Sequence, residues 1–407
     1  MEDRPLELMI PGPVPVSPDV LEAMGQPVRQ HYGPEWQPFY EQFVARLRRI
    51  FKTTGSVYPI PSSGSGGLEA MLGTLIGADG TVGVITNGFF GNRLLDIARA
   101  HTPHVEVLQI PYERPADPDE VRAWLRAHRV PVLAVVHSDT STGILNPVAD
   151  IAAAARSEGA ALAVDAVSSL AGAPVLTDGW GLAAVATASQ KCLESPPGVA
   201  PVAVTSLGWE IIDGQPAPSR GWYLNLRNWR RYEREWPHHP YPVTIPSNNI
   251  VALNRAIERI LDEGLDARFE RHRQAAELLR GGLERLGFTL FADRRWASPT
   301  VTVAYPPDGI KAAALMEQLR VRHRIAVAGG LDHLAGRVIR IGHLGNQATT
   351  ERIRRVLGAV EACLREGSAA GSPGRGSTRT AAPRWDPAPR PAAPGRTRRP
   401  RRPARRT

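Results

Sequence analysis

The chain has 407 residues, 43% hydrophobic and 22% charged, a balance that fits one large folded domain plus a smaller one. Its net charge of +9 is concentrated beyond Gly367, where eleven arginines face one aspartate, so residues 1–367 are near neutral and give no support to a nucleic-acid-binding surface on the folded part. Two cysteines, neither in CxxC spacing, exclude a disulfide framework, and no apolar run approaches the roughly 18 residues of a membrane-spanning helix.

A proline-rich arm from Leu6 to Pro18 leads into a short helix at "SPDVLEAM", which Ser17 can cap, so residues 1–25 read as an arm and first helix. "PFYEQFVARLRRIFK" returns apolar residues every three or four positions, the period of a helix. Strands and helices then alternate. Strands are expected at "SVYPIPSS", "TVGVIT", "VEVLQI", "PVLAVVHS", "ALAVDAVS", "AAVATAS" and "VAPVAVTS". Helices are expected at "GGLEAMLGTLIG", Asn92–Ala100, "DPDEVRAWLRAH" and "PVADIAAAARSEG". Several strands are apolar throughout, as when helices cover both faces of a sheet. Residues 26–250 therefore read as a large α/β domain on a mostly parallel sheet.

Pro246–Gly287 reads as a long helical stretch, followed by strands at "GFTLF", "TVTVAY" and "RVIRIGHL" and helices at "GIKAAALMEQLRVR" and "TTERIRRVLGAVEACLRE". Residues 251–366 thus read as a linking helix and a smaller α+β domain. Residues 367–407, rich in Pro, Gly, Ser and Arg, read as a disordered basic tail: a solvated extension, or an arm that touches nucleic acid nonspecifically. The N-terminus does not read as a signal peptide, and a soluble cytoplasmic protein is expected.

Ligands of open α/β sheets sit outside the carboxyl ends of the strands, which directs attention to polar residues there. "PSSGSGGLEA" enters a helix through Ser63, Gly64 and Ser65. It reads either as a flexible turn or as a cradle whose N–H groups face an anion. "HSDTSTG" offers hydroxyls and a carboxylate that suit a polar ring or a turn equally. Asp165 ends an apolar strand, where an unpaired carboxylate is costly. Its partner is a structural group or a cationic ring nitrogen. Lys191 closes "GLAAVATASQ". Such a lysine snorkels to the surface or, desolvated, becomes a neutral amine reactive toward an aldehyde. In combination, an anion cradle, a buried aspartate and a strand-end lysine are the parts that hold pyridoxal 5′-phosphate.

From "MIPGPVPVSPDVLEAM" to "RVIRIGHLGNQATTERI", with "STGILNP", "VDAVSSLAG" and "SQK" before "PPG" in order, the chain resembles the class V, fold-type I pyridoxal-phosphate enzymes. The resemblance is to the alanine–glyoxylate/serine–pyruvate aminotransferase group. It implies Lys191 as the Schiff-base lysine and proton carrier, Asp165 as partner of the ring nitrogen, and Val167 and Phe90 against the two ring faces. It further implies phosphate contacts from Ser63, Gly64, Ser65 and Gln190, and a hydrogen bond from Thr140 near the ring's phenolic oxygen. Arg340 would clamp the substrate carboxylate, with Gly12 close to the substrate. Tyr241 and Thr244 would reach the cofactor of a second subunit, so the resemblance implies a homodimer with shared active sites. Serine stands at 65 where the group often has histidine, and phenylalanine at 90 where it often has tryptophan. The implied reaction moves an amino group from a small amino acid to a 2-oxo acid, without a metal. The alternatives are a lyase or decarboxylase on the same cofactor, or a non-catalytic binding protein; "VAGGLDHLAGR" lacks the mobile cysteine of a desulfurase.

Overall fold

The computed structural model describes residues 5–215 and 221–369, the side chains of the last three excepted, and the expected tail lies outside them beyond Ala369. The chain opens with β1 (Glu7–Leu8), α1 (Pro18–Met24) and α2 (Trp36–Phe51). Pro18 sits in the first turn of α1, where a missing N–H removes no helical bond. On α2 the apolar stripe Tyr40, Phe43, Val44, Leu47 and Phe51 is buried, as its three- and four-residue spacing requires.

Then come β2 (Ser56–Ile60), α3 (Gly64–Ile76), β3 (Val82–Thr86), α4 (Phe89–His101), β4 (Val105–Gln109), α5 (Pro118–His128) and β5 (Val132–Val136). The Asp117 carboxylate accepts from the Asp119 N–H and caps α5. A short hairpin of β6 (Ser138–Asp139) and β7 (Ile144–Leu145) precedes α6 (Val148–Ser157), β8 (Ala161–Asp165), β9 (Ala184–Ala186) and β10 (Ala200–Val204). Seven strands form one sheet in the order β2-β10-β9-β8-β5-β3-β4. Pairing is parallel from β9 through β8, β5 and β3 to β4, and every residue of β3, β5, β8 and β10 is buried. Only β10 runs antiparallel to both neighbours. No helix separates it from β9, so the chain turns back through "PPG" instead of crossing over.

After α7 (Ser206–Asp213) and α8 (Leu226–Glu235) come α9 (Ser247–Glu263) and α10 (Leu265–Arg285). These two helices divide the expected long stretch at Gly264, whose φ of +80° suits glycine. The rest is β11 (Thr289–Leu290), β12 (Val301–Tyr305), α11 (Ala312–His323), β13 (Ile325–Ala326), β14 (Ala328–Gly329), β15 (Ile339–Gly342) and α12 (Thr350–Ala369), with an antiparallel sheet in the order β11-β12-β15-β14.

Two principal hydrophobic cores follow. The larger joins the seven-stranded sheet to its helices and extends through Ile250, Leu253, Ile257 and Ile260 of α9. The smaller is built from Leu279 and Leu283 of α10, Leu315, Ile339, Ile341 and Val356, and it also takes in Met9 of the arm. The arm belongs there because β1 pairs in parallel with β13. Truncating a fully buried leucine such as Leu72 to alanine would cost about 2–5 kcal/mol.

Candidate active site

At the carboxyl edge of the large sheet, the ends of β2, β5 and β8 and the segment after β9 surround a cavity of ≈ 390 Å³. One side is lined by Ser63, Gly64 and Ser65, and another by Asp165, Val167, Gln190 and Lys191, with Phe90 among the remaining residues. Eight residues singled out in the sequence therefore meet in one place.

Ser63 precedes the first residue of α3, and its hydroxyl makes no capping bond to the helix. The Gly66 and Gly67 N–H groups donate to the Ser63 carbonyl at 3.0 and 3.3 Å, which leaves the Gly64 and Ser65 N–H groups, with that hydroxyl, to face an anion. Asp165 is 5% exposed, and one oxygen accepts from the Val167 N–H at 2.9 Å. Burial pushes its carboxyl up to about 7, against that hydrogen bond. A cation in the cavity would restore the charged form. Burial also pulls the Lys191 ammonium down to about 8, and the nearby Arg340 and Arg93 charges act in the same direction. An amine poised there is partly neutral near neutral pH, and the neutral form is the nucleophile.

The arm crosses directly over this lysine. The Lys191 ammonium donates to the Pro11 carbonyl, and the Val14 N–H donates to the Gln190 carbonyl at 3.1 Å. Gly12 has φ of +91°, and a Cβ placed on it would lie 2.6–2.9 Å from the end of the Lys191 side chain. Glycine here is a requirement of close approach, which explains its place beside the site.

Other residues expected at the site lie off the cavity lining. Arg340, 8% exposed, donates to the Gly329 carbonyl at 2.6 Å and to the Thr140 carbonyl at 3.0 Å. Burial brings its guanidinium down to about 10. Thr140 is buried and meets Arg340 through its backbone rather than its hydroxyl. Tyr241 is fully buried, and its hydroxyl donates to the His31 carbonyl. Thr244 is exposed and lines a neighbouring groove that shares Ser63 with the cavity.

Asp139 lay unremarked inside "HSDTSTG". It is fully buried and accepts from the Ser141 N–H and hydroxyl at 2.9 and 2.6 Å, and from the Phe90 and Gly91 N–H groups at 3.0 and 3.1 Å. It thereby caps α4 from a different strand end and fixes the backbone of Phe90. Arg93, one turn into α4, also lines the cavity, with its guanidinium carbon 5.0 Å from the centre of the Phe90 ring.

These residues fit pyridoxal phosphate. The open first turn and Ser63 suit its phosphate, and Asp165 suits a protonated ring nitrogen. Lys191 suits its aldehyde, and the Gln190 side chain, which lines the cavity, can donate to the phosphate from its amide nitrogen. Among the described residues no group of His, Cys, Asp and Glu is placed to hold a metal.

Known proteins agree. Residues 64–356 match the class-V aminotransferase family. An uncharacterised aminotransferase of Methanocaldococcus jannaschii is 36% identical over 88% of this chain and 92% of its own. The (S)-ureidoglycine–glyoxylate transaminase of Bacillus subtilis is 31% identical over 88% of this chain and 90% of its own. The crystal structure of an alanine–glyoxylate aminotransferase from Nostoc sp. superposes with a TM-score of 0.85 at 31% identity, covering 90% of this chain and 97% of that one. The chain belongs to the class-V aminotransferases, pyridoxal-phosphate enzymes that transfer an amino group between an amino acid and an oxo acid.

Proposed function

We propose that the donor is a small amino acid, alanine- or serine-like, and the acceptor a small 2-oxo acid, glyoxylate- or pyruvate-like. The observation that carries the chemistry is the Lys191 amine, buried and drawn down to about 8, sharing a cavity with the Asp165 carboxyl. Relatives named for glyoxylate as acceptor support the choice of oxo acid.

The bound cofactor supplies an electron sink for the carbanion at the substrate's α-carbon. Ser63, the first turn of α3 and Gln190 hold the phosphate, and Val167 and Phe90 hold the ring from its two faces. Asp165 keeps a proton on the ring nitrogen by placing a negative charge beside it. With the cofactor bound, Lys191 would take the α-carbon proton as a general base and return it as a general acid. Arg340 fixes the substrate carboxylate, and Thr140 steadies Arg340 through its carbonyl. Gly12 leaves room above Lys191 for this exchange.

Residues 26–250 act as the cofactor-binding domain and residues 251–366 as the lobe that carries Arg340. Two copies assemble so that Thr244, exposed beside the cavity, serves the partner's site, whereas Tyr241, buried with its hydroxyl on the His31 carbonyl of its own chain, packs within its own subunit. That reading is supported by two exposed aromatic side chains beside the same segment, Tyr32 against His239 and Trp236 against His238. Light scattering on the purified protein checks the dimer. The protein works in the cytoplasm, where its two unpaired, buried cysteines remain reduced.

The test mixes holoenzyme with alanine, serine or a dicarboxylic donor, with and without glyoxylate or pyruvate, and identifies the products. Oxo acid from alanine or serine beyond one equivalent per site is expected only when an acceptor is present to take up the amino group. Ammonia or carbon dioxide released without an acceptor would replace this reading with lyase or decarboxylase chemistry.

A further inference from the structure

Two non-glycine residues beside the site hold left-handed backbone: Ala171 (φ +65°), in the turn after Asp165, and Glu194 (φ +57°), in the turn after Lys191. A Cβ makes that conformation unfavourable, and it persists only where surrounding bonds impose it. The same side chain binds both turns. Arg268 of α10, 2% exposed, donates from Nε to the Ala171 carbonyl at 2.8 Å and from Nη2 to the Cys192 carbonyl at 2.7 Å. Nη2 also donates to the Glu194 carboxylate, and Nη1 donates to Glu263 at 2.8 Å.

The two turns also touch each other directly. A Cβ on Gly172 would come within 2.6 Å of the Cys192 sulfur, and that thiol lies 3.6 Å from the Ser168 carbonyl. Behind Arg268, His272 Nδ1 meets the Arg268 carbonyl at 2.8 Å, and His272 Nε2 accepts from the Gly345 N–H at 2.8 Å. The Arg268–Glu194 pair is buried on both sides, so simple burial of apolar surface would have served stability as well.

We propose that Arg268 is a positioning residue. One guanidinium fixes the turn behind Asp165 and the turn behind Lys191 against each other, and so sets where the carboxylate and the amine stand relative to the cofactor. A planar fork with donors on three nitrogens can do this, whereas a point-charge ammonium cannot. The inference rests on the roles given above to Lys191 and Asp165.

The test uses full-chain holoenzyme. Arg268→Met combined with Glu194→Gln removes both buried charges together, so neither is stranded, and Glu263 keeps Arg271 as a partner. Expected is a fall in kcat of about 100-fold, the scale of an ångström-sized misplacement of reacting groups, with KM changed far less. The visible circular-dichroism band of bound pyridoxal phosphate, which reads its orientation in the site, should weaken as well. If the double variant does not fold, Arg268→Lys, which keeps the charge but not the fork, is read in the same way, with about a tenfold loss of kcat expected.

Unchanged kcat and an unchanged dichroism band, with or without a lower melting temperature, would reduce Arg268 to a structural ion pair and overturn the inference. Lys191→Ala is measured in parallel. If it still turns over, the functional reading itself falls; if it is inactive while the Arg268 variants are unaffected, only this inference falls.

Discussion

Two buried carboxylates, one ending β8 of the large sheet and one in the β6 hairpin just after β5, are treated in opposite ways. Asp139 accepts four hydrogen bonds, two from Ser141 and two from the start of α4. Asp165, paired across β5–β8 with Val136 three residues before Asp139, keeps one bond from Val167 and otherwise lines the cavity. A carboxylate that holds the frame has its acceptor capacity filled by the protein. One that serves a ligand is left partly unfilled and has its proton affinity raised by burial.

The contrast can be broken by substitution, and the largest effect belongs to the amine opposite Asp165. Lys191→Ala should lower the transamination rate by about 10²–10⁴-fold or more, measured by oxo-acid formation, because it removes the proton carrier. Asp165→Asn should follow at about 10²–10³-fold, since it removes a charge aimed at the reacting system and leaves the frame intact. Parent-like turnover in that variant would erase the distinction between the two aspartates.

Gly12→Ala tests how tightly the arm is laid over the amine. A loss of about tenfold in kcat is expected, because the new methyl meets the Lys191 chain and the backbone is strained. Asp139→Asn should reverse the pattern of Asp165→Asn. It should cost about 1.5–3 kcal/mol of stability, seen as a lower melting temperature, with activity affected only through Phe90.

The smallest effect is a pH dependence. Without cofactor, the Asp165 carboxyl titrates near 7 in the folded chain, against 3.8 ordinarily, so folding takes up a proton between these values. Stability from this group is therefore present at low pH and is lost as pH rises toward 7. The cofactor-free Asp165→Asn variant, which cannot ionise, should gain melting temperature on the parent as pH rises from 4 to about 7 and level off above that. A constant offset across that range would mean that burial does not set the proton affinity of Asp165.

Much of this was legible in the sequence because strand ends are local. A polar residue that closes an apolar run is visible without any contact map, which is how Lys191, Asp165 and the Ser63–Ser65 turn were found. The alternation of elements likewise gave the sheet and its largely parallel sense. What stayed hidden depends on partners distant in the chain. Asp139 is matched to backbone N–H groups some fifty residues earlier, and Arg268 to carbonyls at Ala171 and Cys192, and no side-chain pattern records a backbone donor or acceptor. The helix α8 was unplaced because its charges mask it: only Leu226 and Trp229 are buried in "LRNWRRYERE".

The pairing of β1 with β13 has a consequence for synthesis. The strand at Glu7–Leu8 finds its partner at Ile325–Ala326, more than three hundred residues later. At about 5–20 residues per second, a ribosome takes roughly 15–60 s to make the partner after the arm has emerged. Through that interval β1 has no strand to join, although the arm can already meet the Lys191 loop through Pro11 and Val14. A chain cut short before β13 would carry all seven strands of the large sheet and an arm tied down only at the lysine loop. The arm is thus fastened twice, first to a loop made early and last to a strand made more than three hundred residues after it.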